Sequence, residues 1–231
     1  MAGETTKADA ICLDIRPWSR TSHVVAWLTP SGRVTTLVKG AVRPKSAFLG
    51  QYDLNYTCEI VYYDRARGEL HALRECTPSS TREALRSSYR ALAAAGYFRR
   101  LVHDFAPSGP DCAAWFAALA DALDRLCRDP DGAADVGEVL RFELAVLALM
   151  GLKPEVEAAE GAFALRGERR MPVSPEVAEY LRDPTRPAKN PQIPLDAARV
   201  IGVFYQFHLD CASDVRRSVL KMISKKPNEG R

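Results

Sequence analysis

The sequence predicts an α+β protein in which a small closed barrel of five strands is followed by an all-α helical domain. Three observations predict this class. Five short segments of strand composition fall within residues 1–78, helical periodicity replaces them after Pro78, and the two kinds of segment do not alternate as βαβ units would. We therefore predict a strand domain over 1–78 and a helical domain over 79–231, with an irregular proline-rich segment at about 152–194.

The strand domain is predicted from runs of β-branched and aromatic residues that turn signals separate. In the third run, Val34, Thr36 and Val38 share one face, and Pro30-Ser31-Gly32 before it predicts a hairpin. A long connection over 40–56 favours a barrel of the OB type, with an SH3-like barrel as the alternative. The five runs are Ala10–Ile15, His23–Thr29, Arg33–Lys39, Thr57–Tyr63 and Glu69–Cys76.

The first helix is predicted from a capping box, because the Ser80 hydroxyl and the Glu83 carboxylate can satisfy backbone amides at a helix start. From there the helix is expected to run toward Phe105. Three arginines lie along its predicted surface at intervals of about one turn, and we interpret them as a solvated face. They are Arg82, Arg86 and Arg90.

Four further helices are predicted from apolar periodicity. The second begins at Asp111 and ends before the breaker Asp129-Pro130-Asp131-Gly132, and the third, 138–150, is apolar nearly all round and is expected at the centre of the helical core. The last two span 195–209 and 213–223. The apolar faces are Trp115, Leu119, Leu123 and Leu126 in the second helix, and Val215, Val219 and Met222 in the last.

Composition excludes several classes of protein. Hydrophobic residues make up 47% and charged residues 26%, which is the ordinary globular balance, and no apolar stretch approaches the roughly 20 residues of a membrane helix. The N-terminus has no apolar signal region, so we expect a cytoplasmic, nucleoid-associated protein with no membrane partner. The six cysteines form no C-x-x-C pair, and we interpret them mainly as core thiols.

No enzyme motif is present. The sequence has no phosphate-binding G-x-x-x-x-G-K-[ST] loop, no dinucleotide-binding G-x-G-x-x-G after a strand, no G-x-S-x-G elbow, and no zinc-ligand spacing of Cys or His. We therefore predict a binding protein with no catalytic residue, no metal ligand and no cofactor.

Charge distribution points to a polyanion partner. The net charge is only +3, but the window from Arg16 to Lys45 holds six basic residues and no acidic one. An aromatic ring among cations suits nucleic acid, because rings stack bases while cations hold phosphates, although Trp18 has the alternative of capping the barrel. The predicted nucleic-acid-binding residues here are Arg16, Trp18, Arg20, Arg33, Lys39, Arg43 and Lys45. A second basic stripe, Arg217 and Lys221 followed by Lys225, lies on the last helix.

Several of these residues together resemble a known family. Arg16-Pro17-Trp18-Ser19, Gly32-Arg33-Val34 and Lys39-Gly40 resemble the N-terminal domain of the bacterial recombination mediator family RecO, and Leu140-Arg141-Phe142-Glu143-Leu144 resembles its core helix. Two features depart from that family. This sequence lacks the four-cysteine zinc motif that many members carry, and of the usual basic run near the C-terminus only Arg217 matches well.

The resemblance implies a role in DNA repair and homologous recombination without covalent chemistry. Proteins similar to RecO bind single- and double-stranded DNA and anneal complementary strands. They also bind the acidic C-terminal tail of the single-stranded DNA-binding protein SSB, and act with RecR in the RecFOR pathway to load RecA. By the same resemblance Arg141 is the candidate for partner binding, its alternative being an ion pair with Glu138 or Glu143. The alternatives are that the chain is an OB-fold RNA-binding protein or a protein-interaction scaffold.

Overall fold

The computed structural model describes residues 5–64, 70–110, 112–157, 162–164, 170–184, 186–209 and 213–224. Contacts within the chain divide it into two compact units. The barrel unit comprises Met1–Ala84 and Arg99–Cys127, and the helical unit comprises Leu85–Phe98 and Arg128–Arg231. The domain boundary expected after residue 78 stays a prediction.

Five strands close into a barrel in the order β1-β2-β3-β5-β4, with β4 returning to β1. The pairing of β3 with β5 is parallel and the other pairings are antiparallel. This closure confirms the OB-type barrel against the SH3-like alternative. The strands are β1 Thr5–Pro17, β2 His23–Thr29, β3 Gly32–Val38, β4 Thr57–Tyr63 and β5 Leu70–Ser80.

Alternation along β3 decides which side chains enter the barrel. Val34, Thr36 and Val38 are buried, as predicted, whereas Arg33 and the other intervening residues are only partly buried. Trp27 of β2 is fully buried in the interior cluster, and its indole nitrogen donates to Thr36 Oγ1 at 2.9 Å. That bond satisfies two buried polar groups.

The interior also contains three of the cysteines, Cys12, Cys58 and Cys76, and Cys112 is buried near α2, Ala113–Arg128. These four are buried free thiols, which confirms their interpretation as core residues, whereas the free thiol of Cys127 is only partly buried. Burial raises the pKa of the Cys12 thiol well above its ordinary value, so this side chain stays uncharged. Cys211 lies outside the described residues.

Strands β1 and β5 are longer than the sequence predicts. The first half of β1 pairs with β4 and its second half with β2, so that one strand serves two neighbours. At the end of β5, Ser80 pairs with Thr57. Ser80 therefore ends a strand, and the predicted capping box is wrong. A short 3₁₀ helix, Glu83–Ser87, follows, and helix α1 spans Tyr89–Phe105.

Two of the three arginines interpreted as a solvated helix face are engaged instead, whereas Arg86 is exposed, as interpreted. Arg82 is 8% exposed, and its Nε donates to Asp124 Oδ1 at 2.8 Å, within the barrel unit. In the helical unit, Arg90 Nη2 donates to the carbonyl of Ile223 at 2.5 Å. Both side chains thus hold distant parts of the chain together by hydrogen bonds, and the solvated-face interpretation is wrong for these two arginines.

In α2 the predicted buried face of Trp115, Leu119, Leu123 and Leu126 is confirmed. Asp111, its predicted start, lies outside the described residues.

The helical unit holds four more helices and a small sheet. Asp135 caps the first of these helices by accepting from the Glu138 amide. None of the helices in the described part of the chain is long and apolar enough to cross a bilayer. The elements are α3 Val136–Leu149, β6 Glu155–Glu157, β7 Ala162–Ala164, β8 Arg170–Pro172, α4 Pro175–Arg182, α5 Gln192–Leu209 and α6 Ser213–Ser224. The three-stranded sheet was not predicted.

Helix α6 buries only part of the predicted face: Val219 is buried as predicted, and Met222 is partly buried. Arg216, Val219 and Ile223 are buried, but Val215 is 47% exposed. The prediction failed at Val215 because an arginine, rather than a valine, lies against the bundle at that point of the helix.

Gly32 is required at the start of β3. Its φ is +143°, and a Cβ atom there would lie 3.0 Å from the carbonyl oxygen of Gly109. We expect Gly32→Ala to lower the free energy of unfolding by about 1–3 kcal/mol, from backbone strain and this close approach. Urea unfolding measures the change. As control, Gly96→Ala lies in α1 with nothing within 4 Å and is expected to stabilise slightly. A loss no larger at Gly32 than at Gly96 would contradict this account.

Candidate nucleic-acid interface

One end of the barrel brings the β1–β2 loop and the start of the β3–β4 loop together. The amide of Trp18 donates to the carbonyl of Ser22 at 2.8 Å, which makes the first loop a tight turn. The second loop is bonded to the first by the Val42 amide, which donates to the carbonyl of Thr21 at 3.3 Å. Five predicted binding residues share these loops. We call them the barrel edge: Trp18, Arg20, Lys39, Arg43 and Lys45.

The side chains of the barrel edge are available to a partner. The Trp18 side chain is 62% exposed, which argues against the alternative in which it caps the barrel. The four cations are exposed, and among the described residues no hydrogen bond or ion pair engages their side chains. Exposed, unengaged cations around an exposed indole are the arrangement that holds phosphates and stacks bases.

A cleft of about 560 Å³ lies on the outer face of the same barrel. The strand register builds it, because Asp14 is opposite Ala26 and Arg16 is opposite Val24 in the β1–β2 pairing. Residues directly opposite one another in a sheet project to the same side. We call this the outer cleft. The residues that line it include Asp14, Arg16, Val24, Ala26, Arg33, Thr35, His71, His103 and Ser108.

The two predicted cations in the outer cleft are already engaged by the protein. Arg16 Nε donates to Asp14 Oδ2 at 2.6 Å. Arg33 donates to the carbonyl of His103 at 2.6 Å and to Ser108 Oγ at 2.8 Å. Arg33 therefore holds the end of α1 and the segment after it against β3. Arg33 stays a predicted nucleic-acid-binding residue, but two of its donors already bond to other residues of the barrel unit.

The basic stripe on α6 borders a groove of about 550 Å³ between α5 and α6. Arg217 and Lys221 are both exposed and line it. Arg217 forms an ion pair with Asp214, one turn earlier on the same helix. Lys225, the third member of the predicted stripe, lies outside the described residues.

Arg141 forms an ion pair with Glu138 on the same helix, at 3.0 Å. Of the two acidic partners considered for it, the structure selects Glu138. The Arg141 side chain is 31% exposed, so part of its guanidinium faces solvent. Its role in partner binding stays a prediction.

Sequence reasoning missed a buried ionic network in the helical unit. Arg216 donates to both carboxylate oxygens of Glu143, at 2.7 and 2.9 Å, and to the carbonyl of Ala198 at 2.9 Å. The hydroxyl of Tyr97 donates to the same carboxylate at 2.6 Å. Burial acts to lower the pKa of Arg216, but the Glu143 carboxylate, with Tyr97 and Tyr205, raises it above its ordinary value, so the guanidinium stays charged. The pair is 73 residues apart, and no local pattern signals it.

Sequence reasoning also missed the acidic member of the outer cleft. Asp14 and Arg16 are two residues apart on a strand, a spacing that puts both side chains on one face. That signal was available in the sequence. For His71 and His103 the sequence carries no such signal, because they reach the cleft from other elements, β5 and α1.

The strand order and the two loops define the class: an OB-fold protein with a basic barrel edge and a second, mainly helical unit. Comparison with known proteins agrees. The family described as recombination protein O N terminal matches residues 1–82, and the family described as recombination protein O C terminal matches residues 86–213. The DNA repair protein RecO of Rhodopirellula baltica is 32% identical over 176 residues, which cover 71% of this chain and 61% of that protein. The chain belongs to the RecO family.

Proposed function

We propose that this protein acts in DNA repair and homologous recombination by binding DNA at the barrel edge. The observation that carries the proposal is the barrel edge itself, where an exposed Trp18 stands among four cations that no described residue engages. Membership of the RecO family, whose relative above is named a DNA repair protein, supports the same direction.

The proposed mechanism is electrostatic and needs no covalent step. Arg20, Lys39, Arg43 and Lys45 neutralise backbone phosphates, which releases condensed counterions and reduces the repulsion between two strands. Trp18 offers one stacking surface and leaves the hydrogen-bonding edges of the other bases free. A strand held this way stays able to pair, so that annealing of complementary strands follows from binding alone. Duplex DNA presents the same phosphates, so the same cations suit single- and double-stranded DNA.

Protein partners belong to the same proposal. The SSB C-terminal tail, RecR and, through them, RecA are the partners that the family resemblance implies. Arg141 is the proposed contact for the SSB tail, because a partly exposed guanidinium can pair with an acidic peptide. Arg217 and Lys221 are proposed as a second phosphate-binding surface in the helical unit, beside the α5–α6 groove.

Trp18→Ala provides the direct test of base stacking. We expect it to weaken binding of a fluorescent single-stranded oligonucleotide by about 1–3 kcal/mol, the value of one stacked base. Fluorescence anisotropy measures the affinity. Trp18→Phe keeps a ring and is expected to retain most of the binding.

The controls separate stacking from general damage. Tyr89→Ala removes another exposed ring, 73% exposed on α1, and is expected to leave DNA affinity unchanged. Equal affinities of Trp18→Ala and wild type would contradict stacking at this position. Absence of binding by wild type at low salt would contradict the proposed function as a whole.

A further inference from the structure

Among the described residues that line the outer cleft, Asp14 is the one carboxylate, and it shares the cleft with Arg16 and Arg33, two of the predicted nucleic-acid-binding cations. It lies at the end of a bulge in the β1–β2 pairing, between Cys12 and Asp14, where the register shifts. The shift sets Asp14 opposite Ala26, on the outer side of the barrel. The next acidic residue along the chain is Asp53, so this carboxylate stands at the border of the long basic window.

Asp14 is less exposed than the cation that it binds. Its side chain is 28% exposed, whereas that of Arg16 is 69% exposed. Asp14 also acts on Arg99, which donates to the carbonyl of Leu13: burial lowers the pKa of Arg99, and the Asp14 charge opposes that effect. The charge of Asp14 thus acts on two cations, of which Arg16 is the more exposed. His71 and His103 also line this cleft.

Exposed ion pairs of this kind are weak, so a stronger anion can replace Asp14 at Arg16. A DNA phosphate that does so gains a guanidinium but meets the Asp14 carboxylate beside it. The contact is therefore worth less than an Arg–phosphate contact with no acid near it. The segments that carry the barrel edge, the first loop and the start of the second, contain no such acid, since residues 15–52 have no Asp or Glu.

We propose that Asp14 competes with DNA phosphate for Arg16 and so limits affinity in the outer cleft. This inference rests on the proposed function. It adds that the barrel edge binds the DNA strand and that the outer cleft binds the same DNA strand only weakly. Weak binding in the outer cleft keeps the exchange of DNA strands fast. Asp14 is thus a residue that sets affinity without touching the nucleic acid in its bound state.

The test is neutralisation of this carboxylate in the full chain. We expect Asp14→Asn to bind a single-stranded oligonucleotide about two- to fivefold more tightly and to release it correspondingly more slowly. Asp14→Ser removes the same charge and is expected to give the same gain. Asp9→Asn is the matched control, because Asp9 is an exposed residue of the same strand, opposite Glu59 and outside the outer cleft. It is expected to leave the affinity within experimental error of wild type.

Arg16→Ala supplies the second half of the test. If Asp14 acts by competing for Arg16, the gain from Asp14→Asn disappears when Arg16 is absent, as a double-mutant cycle measures. A gain that persists in the Arg16→Ala background would overturn the proposal, and so would equal affinities of Asp14→Asn and Asp9→Asn. The proposed function fails on a different result, namely that wild type itself does not bind DNA.

Discussion

Removal of the four cations of the barrel edge is expected to lower the affinity for single-stranded DNA on the order of a hundredfold at about 0.1 M salt. The variant is Arg20→Ala/Lys39→Ala/Arg43→Ala/Lys45→Ala. Each lost phosphate contact flattens the dependence of log affinity on log salt by about 0.7, so four contacts flatten the slope by about 2.8. A salt titration of anisotropy measures both quantities. The variant is expected to fold normally, because these side chains are exposed and no described residue bonds to them.

A variant with the same loss of charge elsewhere is the control. Lys7→Ala/Arg74→Ala/Arg186→Ala/Lys189→Ala also removes four exposed cations, none of which lies on the barrel edge. If binding depends on local contacts, this control keeps nearly the slope of wild type. Equal losses in the two variants would mean that net charge alone attracts the DNA, and the barrel edge would lose its assigned role.

The second large effect is expected in the stability of the helical unit. Arg216→Met leaves the Glu143 carboxylate, which is 0% exposed, without its bidentate partner. Breaking one side of a buried ion pair costs about 3–5 kcal/mol, because the remaining charge stays desolvated. Urea unfolding followed by circular dichroism measures the loss. Arg217→Met, next to it on α6 but exposed, is expected to change stability by less than about 0.5 kcal/mol.

A double variant distinguishes a charge effect from a packing effect. Glu143→Leu/Arg216→Met replaces both charges with apolar groups and is expected to recover most of the stability lost in Arg216→Met. A double variant as unstable as the single one would show that the network acts through shape or through the hydroxyl of Tyr97. If Arg216→Met were as stable as wild type, the network would not hold α6 in the helical unit.

Local patterns allowed much of the barrel to be predicted. The bounds of β2 and β4 agree with the prediction, because both strands are rich in β-branched, aromatic and other apolar residues between clear breaks. The first half of β1 and the end of β5 were missed because polar residues such as Thr5 and Ser79 form them. Those residues are strands because β4 supplies their hydrogen-bonding partners. Strands of three residues, such as β6, are too short to show a period.

The candidate site, like the barrel, could be predicted only in part from local patterns. Trp18, Arg20 and Lys39 were expected at one surface, and short loops bring them there because hairpin geometry acts over a few residues. The engagement of Arg33 by residues 70 and 75 positions away could not be anticipated, since it depends on how α1 meets the barrel. Hydrogen bonds and ion pairs to distant elements set the role of an arginine, and a single sequence carries no local signal for them.

Photochemical cross-linking tests the central claim most directly. Single-stranded DNA with 5-iododeoxyuridine in place of thymidine is bound to the full chain and irradiated, and the cross-linked peptides are identified by mass spectrometry. An aromatic ring stacked on a base reacts preferentially, so we expect the main cross-link at Trp18, with Trp27 and Trp115 unreactive because both are buried. Cross-links confined to α6 or elsewhere in the helical unit would contradict DNA binding at the barrel edge.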